Sequence, residues 1–288
     1  MLYLNGVDIM NGIMLVNKDK GLTSRDIVNI AVKKLGTKKI GHTGTLDPIA
    51  TGVMVLCIGR ATKLVDILTS SDKEYIAEVT LGIETDTLDI TGKILDKQDV
   101  CVTKEEVINA LNSFKGNYMQ EVPIYSAVKI NGKKLYEYAR NNEIIDLPKR
   151  EVEIKSIELL ERNNNKFIFK CKVSKGTYIR GLIRDICIKL NTIGTMSKLT
   201  RIKQGKFNIE DCININQISI KNIIDIKDVL DIDKIIVDDK LKFKIINGQI
   251  LDNNYNSDYI MFINNNEVLA IYKKFQNKLK PYIMLFTK

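Results

Sequence analysis

One short stretch carries an unusual density of residues suited to chemistry. In "KKIGHTGTLDPIATG", residues 38–52, Asp47 precedes Pro48 and sits among glycines at 41, 44 and 52. Proline holds the residue before it in extended backbone, and glycine permits tight or left-handed turns. The result is an anchored carboxylate, fit for proton transfer or attack on an electrophile, although an isolated Asp-Pro step is also an ordinary turn. A second stretch, "SKGTYIRGLIRDI" at 174–186, breaks a strand at Gly176 and delivers Tyr178 and Arg180 to the start of a helix. An arginine there suits pairing with an anion or a carboxylate and favours the ionised form of its partner. Read singly, Tyr178 would serve equally as core and Arg180 as surface charge.

Other chemistries are poorly supplied. "GTKKIGHT" at 36–43 matches a phosphate-binding loop except that His42 replaces the lysine the motif exists to provide, and it follows a helix rather than a strand. His42 is the only histidine, and the five cysteines are odd in number with no Cys-x-x-Cys pair, so no zinc site assembles. No cofactor is implied. Scattered thiols suit a reducing cytoplasm, and the N-terminal "MLYLNGVDIMNGIMLVNK" lacks the basic start and unbroken apolar run of a signal peptide.

The charge narrows the partners. Forty-four Lys and Arg against 35 Asp and Glu give a formal +9, which favours a polyanion such as nucleic acid. Lysines at 33, 34, 38 and 39, with no acid between Ile27 and Leu46, put positive charge beside Asp47 in sequence; a solvated helix end would look the same.

Elements that must hold these residues follow from periodicity. A strand is expected at 12–17, then a helix capped at Thr23 or Ser24 with Ile27, Val28, Ala31, Val32 and Leu35 on one stripe, closed by Gly36. A strand at 53–58 precedes a helix bearing Ala61, Leu64, Val65 and Leu68. Tyr75, Ala77, Val79 and Leu81 share one face of a strand. Thr103 and Glu106 form a capping box for a helix ending before Gly116. Asn131-Gly132 predicts a hairpin between "YSAVKI" and "KKLYEYA". Phe167, Phe169, Cys171 and Val173 alternate as a strand, and Ile179 to Leu190 trace a helix. Meanders and hairpins outnumber strict βαβ alternation, so the fold class expected is α+β with a mixed, largely antiparallel sheet. Patterning weakens around 215–240. From 240 the chain holds eight lysines and three acids, with Asn-rich turns between short apolar runs, which reads as a small basic β-rich appendage.

Taken together, "GHTGTLDPIATGVM" (41–54), "SDKEYIAEVTLGIETDTLDITG" (71–92), "VPIYSAVKINGKKLYEYAR" (122–140) and "SKGTYIRGLIRDI" (174–186) resemble the bacterial tRNA pseudouridine-55 synthases, the TruB family. The resemblance implies a catalytic domain over 1–230 and a short RNA-binding domain of PUA type over 231–288. It implies isomerisation of uridine to pseudouridine at position 55 of the tRNA T loop by base flipping, without cofactor or obligatory protein partner, in a cytoplasmic monomer. By position it makes Asp47 the catalytic carboxylate, Tyr75 the ring that stacks on the target base and Arg180 the partner of the aspartate. His42, Tyr178, Lys18 and Leu199 fall on substrate-binding positions. The family's proline after Lys18 is Asp19 here, and its basic pair after Leu199 is Thr200-Arg201. A guide-RNA-dependent synthase subunit, or an RNA-binding module without catalysis, are the alternatives.

Overall fold

The computed structural model describes residues 10–286 and the backbone at 3–4 and 7–8, so much of the N-terminal segment read above lies outside the described residues. Strand β1 (Gly12–Lys18) leads through a turn to α1 (Ser24–Leu35), then β2 (Ile40–His42) and β3 (Thr51–Ile58). The long strand β4 (Lys73–Leu81) is followed by α2 (Lys104–Ser113), β5 (Gly116–Glu121) and a short helix α3 (Leu135–Arg140). Then come β6 (Lys149–Asn163), β7 (Lys166–Val173), α4 (Ile179–Lys189), β8 (Gly194–Gln204), β9 (Phe207–Asn208) and β10 (Ile213–Asn214). These strands form one sheet in the order β10-β1-β3-β8-β4-β7-β6-β5, with β2 on β3 and β9 on β8. Most pairs are antiparallel; β8 with β3 and β10 with β1 are parallel.

Burial explains the sequence patterns. Strands β1 and β3 read as unbroken apolar runs because both faces are covered: Met14, Val16, Met54 and Leu56 pack on the Ile27, Val28, Ala31 and Leu35 stripe of α1, while Ile13, Leu15, Val53 and Val55 enter a second core on the other side. Of the two caps expected for α1 it is Thr23 that serves, in a capping box with Asp26, and Gly36 closes the helix in left-handed geometry as expected. On β4, Tyr75, Ala77, Val79 and Leu81 pack against Leu182, Ile183 and Ile186 of α4 and Val107 and Leu111 of α2.

The two halves of the sheet meet at a narrow seam. Strand β8 touches β3 through only Thr200↔Thr51 and Arg201↔Gly52. Gly52 has φ +105, and a Cβ there would stand 2.2 Å from the Arg201 carbonyl oxygen, so the seam closes only with glycine.

Two expectations need amendment. Asn131 and Gly132 do turn a hairpin with positive φ at both residues, but its arms are two residues each, and "LYEYAR" is α3 rather than a strand. The stretch at 59–69 is a 3₁₀ turn, Gly59–Leu64, running into one turn of α-helix, Val65–Thr69.

After Leu230 the chain builds a separate five-stranded sheet from β11 (Asp233–Ile236), β12 (Leu251–Asp252), β13 (Tyr259–Asn264), β14 (Glu267–Phe275) and β15 (Lys278–Met284), ordered β11-β13-β14-β15-β12. One face packs on Ile245 of helix α5 (Asp239–Ile246); the other, through Met261, Ile271 and Ile283, shares the core of Ile13, Val53 and Val55. Among the described residues no helix is long and apolar enough to cross a membrane.

Candidate active site

The Asp47 loop, 43–53, is fixed from several directions. Its neck closes where the Thr43 amide donates to the Val55 carbonyl at 3.1 Å. Inside, the Ala50 amide donates to the Asp47 carbonyl (3.0 Å), and the Gly21 amide donates to the Pro48 carbonyl (2.7 Å). Ser24, at the start of α1, accepts from the Leu46 amide (2.9 Å) and donates to its carbonyl (3.1 Å). Lys18, at the end of β1, donates to the carbonyls of Ala50 (2.6 Å), Asp19 (3.0 Å) and Pro48 (3.3 Å). The helix start and the strand end therefore set where the carboxylate points.

Asp47 then meets Arg180 at two points, Nε to Oδ2 at 2.8 Å and Nη2 to Oδ1 at 3.0 Å. Such a fork fixes orientation as well as proximity. Arg180 is 5% exposed, whereas the Asp47 side chain keeps 30% of its surface open. The guanidinium is itself held by the carbonyls of Thr87 (2.8 Å) and Tyr125 (3.0 Å). Thr87 is presented by the "ETDTLDITG" knot, where Thr85 donates to the Asp89 carbonyl and Asp89 accepts from the Thr91 amide. Helix α4, which carries Arg180, is seated by Gln120 of β5. Its amide accepts from the Tyr178 N–H (2.8 Å) and donates to the Tyr178 carbonyl (3.0 Å).

Asp47 and Arg180 open on a cleft of about 740 Å³ whose walls include Tyr75, His42, Tyr178 and Leu199. Tyr75 is 8% exposed and lies in register between Cys171 of β7 and Arg201 of β8. His42, at the end of β2, accepts from the Gly44 amide through Nδ1 at 3.3 Å. Burial, then the charges of Arg201 and Arg25, hold its pKa below the usual imidazole value, so it is the neutral ring that faces the cleft. Around Asp47, the one carboxylate in the wall, stand five cations: Arg25, Lys73, Lys134, Arg180 and Arg201. That balance suits an entering polyanion.

Lys18 is placed differently from its expected substrate-binding position. It is fully buried behind the loop and absent from the cleft wall. Burial lowers its pKa to about 8, with the Asp47 charge acting in the opposite sense. Two residues with a part in the site were not singled out from sequence, Gln120 as the seat of α4 and Lys73 in the wall, while Arg201 was read only as part of the pair after Leu199. Lys73 is 7% exposed, donates to the carbonyls of Thr69 and Ser71 at 2.6 Å each, and is pulled down to about 8, by burial first and then by Arg201. Only the glycine at 52, where φ is positive, hinted that another backbone came so close. Among the described residues no group of three metal-ligating side chains occurs.

The TruB family pseudouridylate synthase N-terminal domain matches residues 32–179. The tRNA pseudouridine synthase B of Staphylococcus aureus is 44% identical over 286 residues, covering 91% of this chain and 94% of that protein. Its counterpart in Caldanaerobacter subterraneus subsp. tengcongensis is 43% identical over 251 residues, 86% of this chain and 88% of that one. Among solved structures, a chain of an H/ACA ribonucleoprotein bound to a substrate RNA aligns with TM-score 0.70 at 22% identity, covering 96% of this chain and 85% of that one. A chain from a Cbf5 complex aligns with TM-score 0.68 at 24% identity over 91% of this chain and 78% of that one. Both share the fold.

Proposed function

The chain belongs to the TruB family of pseudouridine synthases, and from that premise we propose that it converts uridine to pseudouridine at position 55 in the T loop of tRNA, with Asp47 as the catalytic carboxylate. The observation that carries the reading is the two-point Asp47–Arg180 pair at 2.8 and 3.0 Å in the wall of a cationic cleft that also holds the Tyr75 ring.

The reaction breaks the N1–C1′ bond, turns the uracil and joins C5 to C1′. The proton on C5 leaves to solvent and N1 gains one, so no electron carrier is needed. The target base must leave its stack, at a cost of a few kcal/mol. Tyr75 supplies the stacking surface that receives it, with Leu199 and Tyr178 as walls, and neutral His42 stands at the rim, where it fills the space the base vacates. Asp47 has both oxygens in use by Arg180 yet keeps open surface on the cleft side. Attack at C1′, attack at C6 and removal of a sugar proton all draw on that same carboxylate. Lys18 contributes from behind, as a brace for the loop.

Arg25 and Lys134, the more open cations of the wall, with the lysines at 33, 34, 38 and 39, serve the phosphates of the T arm through salt-dependent contacts. The sheet from Asp233 onward serves as a small accessory RNA-binding domain of PUA type, and the enzyme works in the cytoplasm, where its tRNA is.

The test is to incubate the purified chain alone with an unmodified tRNA transcript and map pseudouridine by carbodiimide adduct formation and primer extension. A single stop at position 55, lost when that uridine is replaced by cytidine, is expected. Tight tRNA binding with no stop would overturn the reading in favour of a guide-dependent subunit or a binding module.

A further inference from the structure

Arg201 is the largest of the fully buried side chains, 1% exposed, and it forms no ion pair with any carboxylate among the described residues. A buried charge is costly unless something specific compensates it. Here the compensation is two backbone carbonyls: Nε donates to Val53 at 2.7 Å and Nη2 to Gly44 at 3.1 Å. Those two residues stand at either end of the loop that carries Asp47. The backbone of Arg201 is at the same time in register with Gly52 on one side and Tyr75 on the other. One residue thus ties both ends of the aspartate loop to the strand that carries the tyrosine. The fork fits closely, since a Cβ on Gly44 would stand 3.3 Å from Nη1.

We propose that Arg201 is a positioning residue for Asp47, holding the loop ends in the register that presents the carboxylate to the substrate; this rests on the reading of Asp47 given above. A purely structural arginine would be replaceable wherever stability survives. A positioning one acts on the chemical step, since the planar fork spans two carbonyls that a single ammonium reaches one at a time.

The test is a double-mutant cycle on the full chain with Arg201→Lys and Gly44→Ala, measuring single-turnover tritium release from tRNA labelled at C5 of uracil, the tRNA Kd and the melting temperature, with Asp47→Asn as reference. Arg201→Lys keeps the charge, and Gly44→Ala displaces the guanidinium by a few tenths of an ångström without removing it. Misplacement of a reacting group by about 1 Å costs up to about 100-fold, so Arg201→Lys is expected to slow release by about 10- to 100-fold with the Kd changed less than about threefold. Gly44→Ala is expected to slow the wild type and to add little in the Lys background, because both act through one contact. A rate unchanged in Arg201→Lys, a loss explained by Kd or unfolding alone, or fully multiplicative effects would overturn the proposal. An Asp47→Asn protein that still releases tritium would refute the Asp47 reading instead, whatever Arg201 does.

Discussion

Replacing Arg180 by methionine removes four hydrogen bonds at once: two to Asp47 and one each to the carbonyls of Thr87 and Tyr125. The Asp47 side chain, 30% exposed, regains water on its open side. The carbonyls are left facing an apolar side chain, each at a cost of about 1–3 kcal/mol, part of which the packed methionine returns. A net loss of about 2–4 kcal/mol corresponds to a melting temperature lower by about 5–15 °C in a domain of this size. The rate suffers more than the fold, because the carboxylate loses the fork that aims it: single-turnover tritium release at 20 °C should drop at least about 100-fold. Binding of tRNA should change only a few-fold, since Arg180 is buried and offers little charge to phosphates. Arg180→Lys should fall between, keeping charge but not the fork. A folded Arg180→Met protein with a rate within threefold of wild type would refute the reasoning.

Other perturbations separate stability from the site. Thr103→Ala removes the capping box of α2; the expected cost is about 1 kcal/mol, read as a melting temperature lower by about 2–4 °C with release of tritium unchanged. Gly52→Ala puts a Cβ 2.2 Å from the Arg201 carbonyl at φ +105, so a loss of about 3 kcal/mol or more and poor soluble yield are expected, checked by thermal melting. Lys73 has its folded pKa lowered from 10.5 to about 8, so between those values the unfolded chain binds the extra proton and stability from this group rises with pH. The melting temperature of wild type relative to Lys73→Met should therefore increase from pH 7.5 to 9.5, and a constant or shrinking difference would remove burial as the cause.

Much of the architecture was legible because local signals agreed with tertiary burial. The Thr103–Glu106 cap, the α1 stripe closed by Gly36 and the Tyr75 to Leu81 face each needed only one period and one neighbour. Strand β6 was harder: its fifteen residues are rich in Lys and Glu, and register shifts after Ile154 and Leu159 break the alternation that identifies a strand. "LYEYAR" deceived in the opposite sense, since Tyr suits strands, yet Glu137 caps Lys134 and starts a helix. Site residues that carry recognisable chemistry, Asp47 and Arg180, stood out in sequence. Those that act through backbone carbonyls did not, because nothing in "LTRIKQ" marks the Arg201 side chain as bound for Gly44 and Val53, more than 140 positions away. Lys18 illustrates the same limit, since its position in the chain fits a substrate ligand and its contacts are those of a brace.

The most direct test of the account is Asp47→Asn. The amide is nearly isosteric, and Arg180 can still donate to its remaining carbonyl oxygen, so fold and tRNA Kd should stay close to wild type. Single-turnover release of tritium from C5-labelled tRNA is predicted to fall at least about 10⁴-fold, as expected when a reacting group is removed. Release within tenfold of wild type would contradict the claim that this carboxylate carries the reaction.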